Sequence, residues 1–246
     1  MLLKRGRDIS RLEAFSDAVF GFSATLLVVS LEVPRTFPAL MEDLKGFVSF
    51  GLSFGALILL WAVHNGFFRR YGLQDNWTVA LNSIFLFVVL FYVYPLKYMA
   101  GSLASLGRSG DYRLATLDDL ASLFVVYGLA FAALFLCISL MYLHAWRSRK
   151  RLVLDEDETY EAAFLFRHYL IFSGMGFMSV LMSIAGIGLM VGLPGWMYAL
   201  LGPLCYAHAM WSIRGRELAR APVQEAAEAA AAPEAGNVVA RDPSLP

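Results

Sequence analysis

Few side chains in this sequence could do chemistry, and nearly all of them lie inside apolar stretches. Asp17 interrupts the first such stretch and Glu32 stands near its far end. An aspartate at the centre of a membrane helix costs ~2.5–3.5 kcal/mol, less near the interface, so such groups mark ion pathways, proton relays or ties between helices. Four histidines, His64, His144, His168 and His208, lie toward the ends of apolar stretches on one side. Two of them on facing helices could ligate a haem, which would make the chain an electron-transfer protein. Against this, no pair has a haem motif, and His144 and His168 stand close to Arg147 and Arg167, where solvated interfacial groups are expected. Cys137 and Cys205 have apolar neighbours, which favours inert buried thiols over a disulfide or a thiolate cluster. There is no phosphate-binding glycine loop, zinc-helix motif or Cys-x-x-Cys pair. The expectation is a protein that is not an enzyme and holds no cofactor or resident metal.

These residues must be positioned by helices that live in lipid. The chain has 246 residues, of which 59% are hydrophobic and only 16% charged, with a mean hydropathy of +0.59. Soluble domains carry roughly 25% charged residues, so the excess apolar surface needs a solvent other than water. Six segments approach or exceed the ~20 apolar residues that span a bilayer: 14–33, 46–68, 77–99, 120–146, 163–191 and 193–213. Each must satisfy its backbone internally and is therefore helical. The first is read as a retained span, because Asp17 and the Glu32-Val33-Pro34 ending do not fit a cleaved signal peptide. The resulting class is all-α, with residues 1–215 forming a six-helix transmembrane domain and 216–246 an Ala/Glu/Pro-rich tail, disordered beyond a helical continuation.

The 20 basic and 20 acidic residues cancel, so no global charge favours nucleic acid. Their distribution is more informative. Fifteen of the basic residues fall on one side of the six spans and five on the other, which places both termini in the cytoplasm. Asp155 and Glu158 have the spacing of a capping box opening the fifth helix. The Gly192-Leu193-Pro194-Gly195 turn sets spans five and six antiparallel. No internal repeat occurs, so any symmetry must come from oligomerisation.

On a helical wheel of about 100° per residue, Arg11, Phe15, Phe22, Leu26 and Val29 fall within some 40° of one line, with Thr25 beside it. Asp17 lies about 140° from Phe22, and Ser16 about 120° away on the other flank. The series Arg11-x-x-x-Phe15-Ser16-Asp17, with Val19-Phe20 and Thr25-Leu26-Leu27 after it, resembles the opening signature of the transmembrane protein 175 family of potassium channels. Trp61, His64 and Phe67 in the second span, Asn82 in the third and Tyr94-Pro95 at its end extend the likeness. It is strong over roughly the first hundred residues and rests beyond them on span count.

The resemblance implies a homotetramer that conducts potassium through a central pore lined by the first helix of each subunit. Potassium ions and the lipid bilayer are then its partners, and a prokaryotic plasma membrane its place. It also implies a hydrophobic constriction at Phe22, further pore-facing rings at Thr25, Leu26 and Val29, and a structural role for Ser16 and Asp17 behind the pore. Where the family usually has Ile or Leu, this chain has Phe22, which could close the pore more tightly or present ring faces to a cation. His64 and Asn82, with Trp61, are the expected partners of Ser16 and Asp17. Without the resemblance, Phe22, Leu26 and Val29 would read as ordinary helix packing. The sequence lacks a Thr-Val-Gly-Tyr-Gly filter and an arginine ladder, which excludes carbonyl-ring selectivity and S4-type voltage sensing. A proton-coupled secondary transporter is the alternative, since intramembrane carboxylates can serve as relays.

Overall fold

The computed structural model describes residues 9–29, 36–104 and 116–231, and among them all regular structure is helical. Seven α-helices follow in order: α1 Arg11–Val29, α2 Phe37–Tyr71, α3 Asn76–Ala104, α4 Leu117–Arg147, α5 Glu156–Ile184, the single turn α6 Leu193–Trp196, and α7 Leu201–Ala231. Short 3₁₀ turns at Leu189–Val191 and Met197–Leu200 flank α6. The chain divides into two compact units, Met1–Gly202 and Pro203–Pro246. The first holds α1 to α6; the second is, among the described residues, the remainder of α7.

Among the described residues, four stretches are long and apolar enough to cross a membrane: Phe50–Tyr71, Asn76–Tyr98, Leu117–Arg147 and Glu156–Ile184. Exposed Phe87, Phe91, Leu59 and Leu181 on these helices are what a lipid-facing surface requires. The described part of α1 falls outside this set because Arg11, Glu13 and Asp17 lie within nineteen residues. In α7 the Arg214-Gly215-Arg216-Glu217 turn has the same effect.

Helix ends explain where the observed elements depart from the expected spans. Ser10 opens α1 with a reciprocal capping box: its Oγ accepts from the Glu13 amide at 3.1 Å, and Glu13 Oε2 accepts from the Ser10 amide at 2.8 Å. Asp155 and Glu158 do the same for α5, as their spacing predicts, so this helix opens at Glu156, ahead of residue 163 where its apolar span begins. It stops at Ile184, not at 191, because Gly186 and Gly188 take left-handed backbone with φ of 70° and 66°. In α7 the helical continuation runs through Ala231; residues 232–246 of the expected tail lie outside the described part.

Two kinds of packing organise the first unit. α4 and α5 form an antiparallel hairpin in which Gly128 and Gly176 let the backbones meet. A Cβ on Gly176 would stand 2.8 Å from the Gly128 carbonyl oxygen and 2.9 Å from Ala132 N. Ser173 Oγ donates to the Ala132 carbonyl at 3.0 Å and Ser139 Oγ to the Phe166 carbonyl at 2.8 Å. Tyr142 then packs against Phe67 and Tyr71, joining the hairpin to α2.

Candidate functional site

α1 buries a stripe that alternates serines with large apolar residues. Ser16, Phe20, Ser23 and Leu27 recur at helical spacing, and none exceeds 5% exposure. The Ser16 hydroxyl has one proton and gives it to the Leu12 carbonyl at 2.8 Å. It therefore accepts from Asn82 Nδ2 at 2.9 Å, which turns Asn82 Oδ1 toward His64 Nε2 at 2.6 Å. That arrangement requires His64 to donate from Nε2. Both Asn82 and His64 are buried, and leaving either unpaired would cost about 1–3 kcal/mol. The imidazole is held by rings on three sides. It stacks on Phe85 at 5.2 Å and 9°, and meets Phe68 at 4.9 Å and Phe20 at 5.6 Å.

Asp17, one residue round the helix, is exposed and bonded differently. Its Oδ1 accepts from Trp61 Nε1 at 2.7 Å. The structure thus brings Ser16, Asn82 and His64 into one chain of hydrogen bonds and pairs Asp17 with Trp61 beside it. Arg11 and Phe15 are exposed on α1 and do not join that network.

The remaining candidates lie away from the buried stripe. Phe22 is 57% exposed, and Thr25 is exposed with its Oγ1 donating to the Gly21 carbonyl at 3.0 Å. Because that bond uses the threonine's one proton, its oxygen keeps lone pairs for an outside donor or cation. Leu26 differs from both: it is partly buried and packs against the core. Val29 ends α1, and its side chain lies outside the described residues, as does Glu32.

A second polar cluster had no counterpart in the sequence reading. Asp75 caps α3, accepting from the Thr78 amide at 3.0 Å and from Thr78 Oγ1 at 2.8 Å through Oδ1. Its Oδ2 accepts from Arg151 Nη2 at 2.5 Å and pairs with His144 Nε2 at 2.7 Å. Burial alone would raise the Asp75 pKa. The bonds from Arg151, His144 and Thr78 outweigh it and hold the carboxyl well below the usual carboxylate range. His144 is thus a paired residue, where its nearness to Arg147 had suggested a solvated one. The Asp75-x-x-Thr78 spacing ahead of an apolar run was the available signal. Arg70 and Glu161 form a further ion pair between α2 and α5.

Among the described residues no three His, Cys, Asp or Glu side chains gather where a metal ion could be held. His64 and His144 have separate partners, Asn82 and Asp75, so they do not form a facing pair for a haem.

Residues 11–92 match the family model described as endosomal/lysosomal potassium channel TMEM175. Over 169 residues the chain is 40% identical to a potassium channel of Marivirga tractuosa, covering 64% of this chain and 67% of that one. A potassium channel of Chamaesiphon minutus is 22% identical over 196 residues, 75% of this chain and 89% of its own. The fold is similar to the crystal structure of a variant of the potassium channel MtTMEM175, with a TM-score of 0.78 and 30% identity over 87% of this chain and 97% of that chain. The matched segment starts at Arg11 and ends at Tyr92, so it contains every residue of the Ser16–Asn82–His64 chain and the Asp17–Trp61 pair. On the strength of the two relatives at 30% identity or more, the chain belongs to the TMEM175 family, whose members are potassium channels and not enzymes.

Proposed function

We propose that this protein is the subunit of a tetrameric potassium channel whose central pore is lined by α1. Its transmembrane domain, residues 1–215, would span the membrane six times with both termini in the cytoplasm, followed by the 216–246 tail. The even number of spans agrees with the fifteen-to-five split of basic residues. The organisms of the relatives, Marivirga and Chamaesiphon, support a prokaryotic plasma membrane as the location.

One observation carries this reading. α1 has a buried stripe of Ser16, Phe20, Ser23 and Leu27, tied to α3 by the Asn82–Ser16 bond and to α2 by the Phe20–His64 contact, and a separate exposed stripe with Phe22 and Thr25. A pore helix needs this division, because its lining must stay in register while ions pass. Phe22 is then the hydrophobic constriction, and Thr25, Leu26 and Val29 form the rings beyond it. At such a neck an ion sheds part of its hydration, and four Thr25 oxygens with lone pairs available could replace some of the lost water. Selectivity would follow from neck width and these hydroxyls in place of carbonyl rings.

The test is cation flux from proteoliposomes, potassium against sodium, for wild type, Phe22→Ala and Thr25→Val. The channel reading expects faster potassium flux in Phe22→Ala and a smaller potassium-to-sodium ratio in Thr25→Val. Absence of any voltage-driven flux from wild type and Phe22→Ala alike would instead favour proton-coupled exchange.

A further inference from the structure

The connection between α4 and α5 carries a cleft that the channel reading does not use. It is about 640 Å³ in volume and is lined among others by Trp146, Arg149, Lys150, Val153, Glu156 and Tyr160. It lies where two membrane-long helices end, since the apolar stretches are Leu117–Arg147 and Glu156–Ile184.

The two cations differ in how they are held. Arg149 is fixed: its Nη1 donates to the Trp146 carbonyl at 3.1 Å, and its Cζ lies 4.7 Å above the Trp146 ring. The rest of the planar fork remains available to an oxyanion. Lys150 beside it is exposed. Of the carboxylates, Asp155 is committed to the amide of Glu158 at 2.7 Å in the helix cap, whereas Glu156 is exposed at the cleft. The cleft therefore offers a cationic pair and one carboxylate, the reciprocal of a phosphate joined to an ammonium.

Val153 indicates what kind of molecule carries that headgroup. Its φ is 47°, a left-handed conformation that a β-branched residue rarely adopts. Leu152 and Leu154 on either side pack against the core, and this forces Val153 outward to 78% exposure. An apolar side chain held outward at the membrane boundary, next to two cations, matches a lipid better than a soluble phosphate. The amphipathic rings of Trp146 and Tyr160 have the composition of the aromatic belt at a bilayer interface.

We propose that this cleft binds a phospholipid with a phosphoethanolamine headgroup. The phosphate meets Arg149 and Lys150, the ammonium meets Glu156, and the glycerol and upper acyl chain cover Val153. The proposal rests on the membrane placement given above, but it does not require any role for α1 in conduction.

Native mass spectrometry of the full-length channel, delipidated and then titrated with phosphatidylethanolamine, phosphatidylglycerol or soluble glycerophosphoethanolamine, tests it. Wild type should retain one phosphatidylethanolamine per subunit and release the soluble headgroup. An Arg149→Gln/Lys150→Gln variant should bind that lipid about tenfold more weakly, while Arg69→Gln, an exposed arginine outside the cleft, leaves binding unchanged. Glu156→Gln should move the preference toward phosphatidylglycerol. Val153→Gly relieves the left-handed strain, so it should raise the melting temperature while lowering lipid retention. Equal retention by wild type and the double variant would overturn the proposal, as would binding of glycerophosphoethanolamine as tight as that of the lipid. Potassium flux measured on the same preparations separates this outcome from a failure of the channel reading: flux without lipid retention contradicts only the lipid site.

Discussion

α1 to α3 and the α4–α5 hairpin both hold helices together inside an apolar environment, but with different chemistry. Around α1 the bonds run from side chain to side chain: Asn82 to Ser16, His64 to Asn82 and Trp61 to Asp17. In the hairpin they run from serine hydroxyls to backbone carbonyls, across a seam where Gly128 and Gly176 bring two backbones together. A glycine seam gains its strength from contact area and tolerates small rotations. A chain of side-chain hydrogen bonds does not, since each member has a fixed donor and acceptor direction. The directional device is placed on the helix whose outward face bears Phe22 and Thr25, and the area-based device on helices that need only stay packed.

The largest effect should come from the seam. Gly176→Val places carbons within van der Waals exclusion of Ala132 N and the Gly128 carbonyl, so the helices must part, at a cost of about 3 kcal/mol or more. Thermal unfolding in detergent should show a large drop in melting temperature or loss of folded protein. Next is Asn82→Ala, which removes the link between Ser16 and the buried His64 donor. It should cost about 2–3 kcal/mol and, unlike any seam variant that still folds, change ion flux per folded channel.

Asp75 joins the two regions by capping α3 and bonding Arg151 and His144. Its folded pKa is depressed, so its stabilisation is complete above the unfolded value of about 3.9 and disappears as pH falls through the folded one. Asp75→Asn should therefore lower the melting temperature at pH 7 by an amount that shrinks below about pH 4. A difference that is constant from pH 7 to pH 3 would show that the charge is not what matters. The smallest effect is expected for Ser173→Ala, which gives up one interhelical bond of about 0.6 kcal/mol and should leave flux unchanged. If Ser173→Ala and Asn82→Ala proved equally costly, the contrast between the two regions would fail.

The parts of this arrangement written in local residue order were legible beforehand. The wheel separates Ser16 and Asp17 from Phe22, and the Asp155-x-x-Glu158 spacing marks the start of a helix that the structure opens at Glu156. The Ser10-x-x-Glu13 cap carries the same signal, four residues ahead of the Ala14 at which an apolar count begins the first span. The Gly128–Gly176 contact joins residues far apart in the chain, and neither glycine differs in its neighbours from Gly51 or Gly55, which meet nothing within 4 Å. Asp75 with His144 was hidden for a related reason: a histidine near a helix end reads as solvated until the loop that faces it is known. Leu26 shows the opposite limit, since it shares the Phe22 line on the wheel yet packs partly into the core.

The central claim is that the Phe22–Thr25 face of α1 lines the ion path and does not face lipid. Cysteine accessibility tests it most directly, in a Cys205→Ser background in which Cys137 is buried. Potassium flux from proteoliposomes would be followed after adding a charged, water-soluble methanethiosulfonate reagent to Phe22→Cys, Thr25→Cys and, on the exposed face of α3, Phe87→Cys. The account predicts block of flux in Phe22→Cys and Thr25→Cys and none in Phe87→Cys. Unmodified flux in both α1 variants, with either no block anywhere or block only at Phe87→Cys, would contradict it.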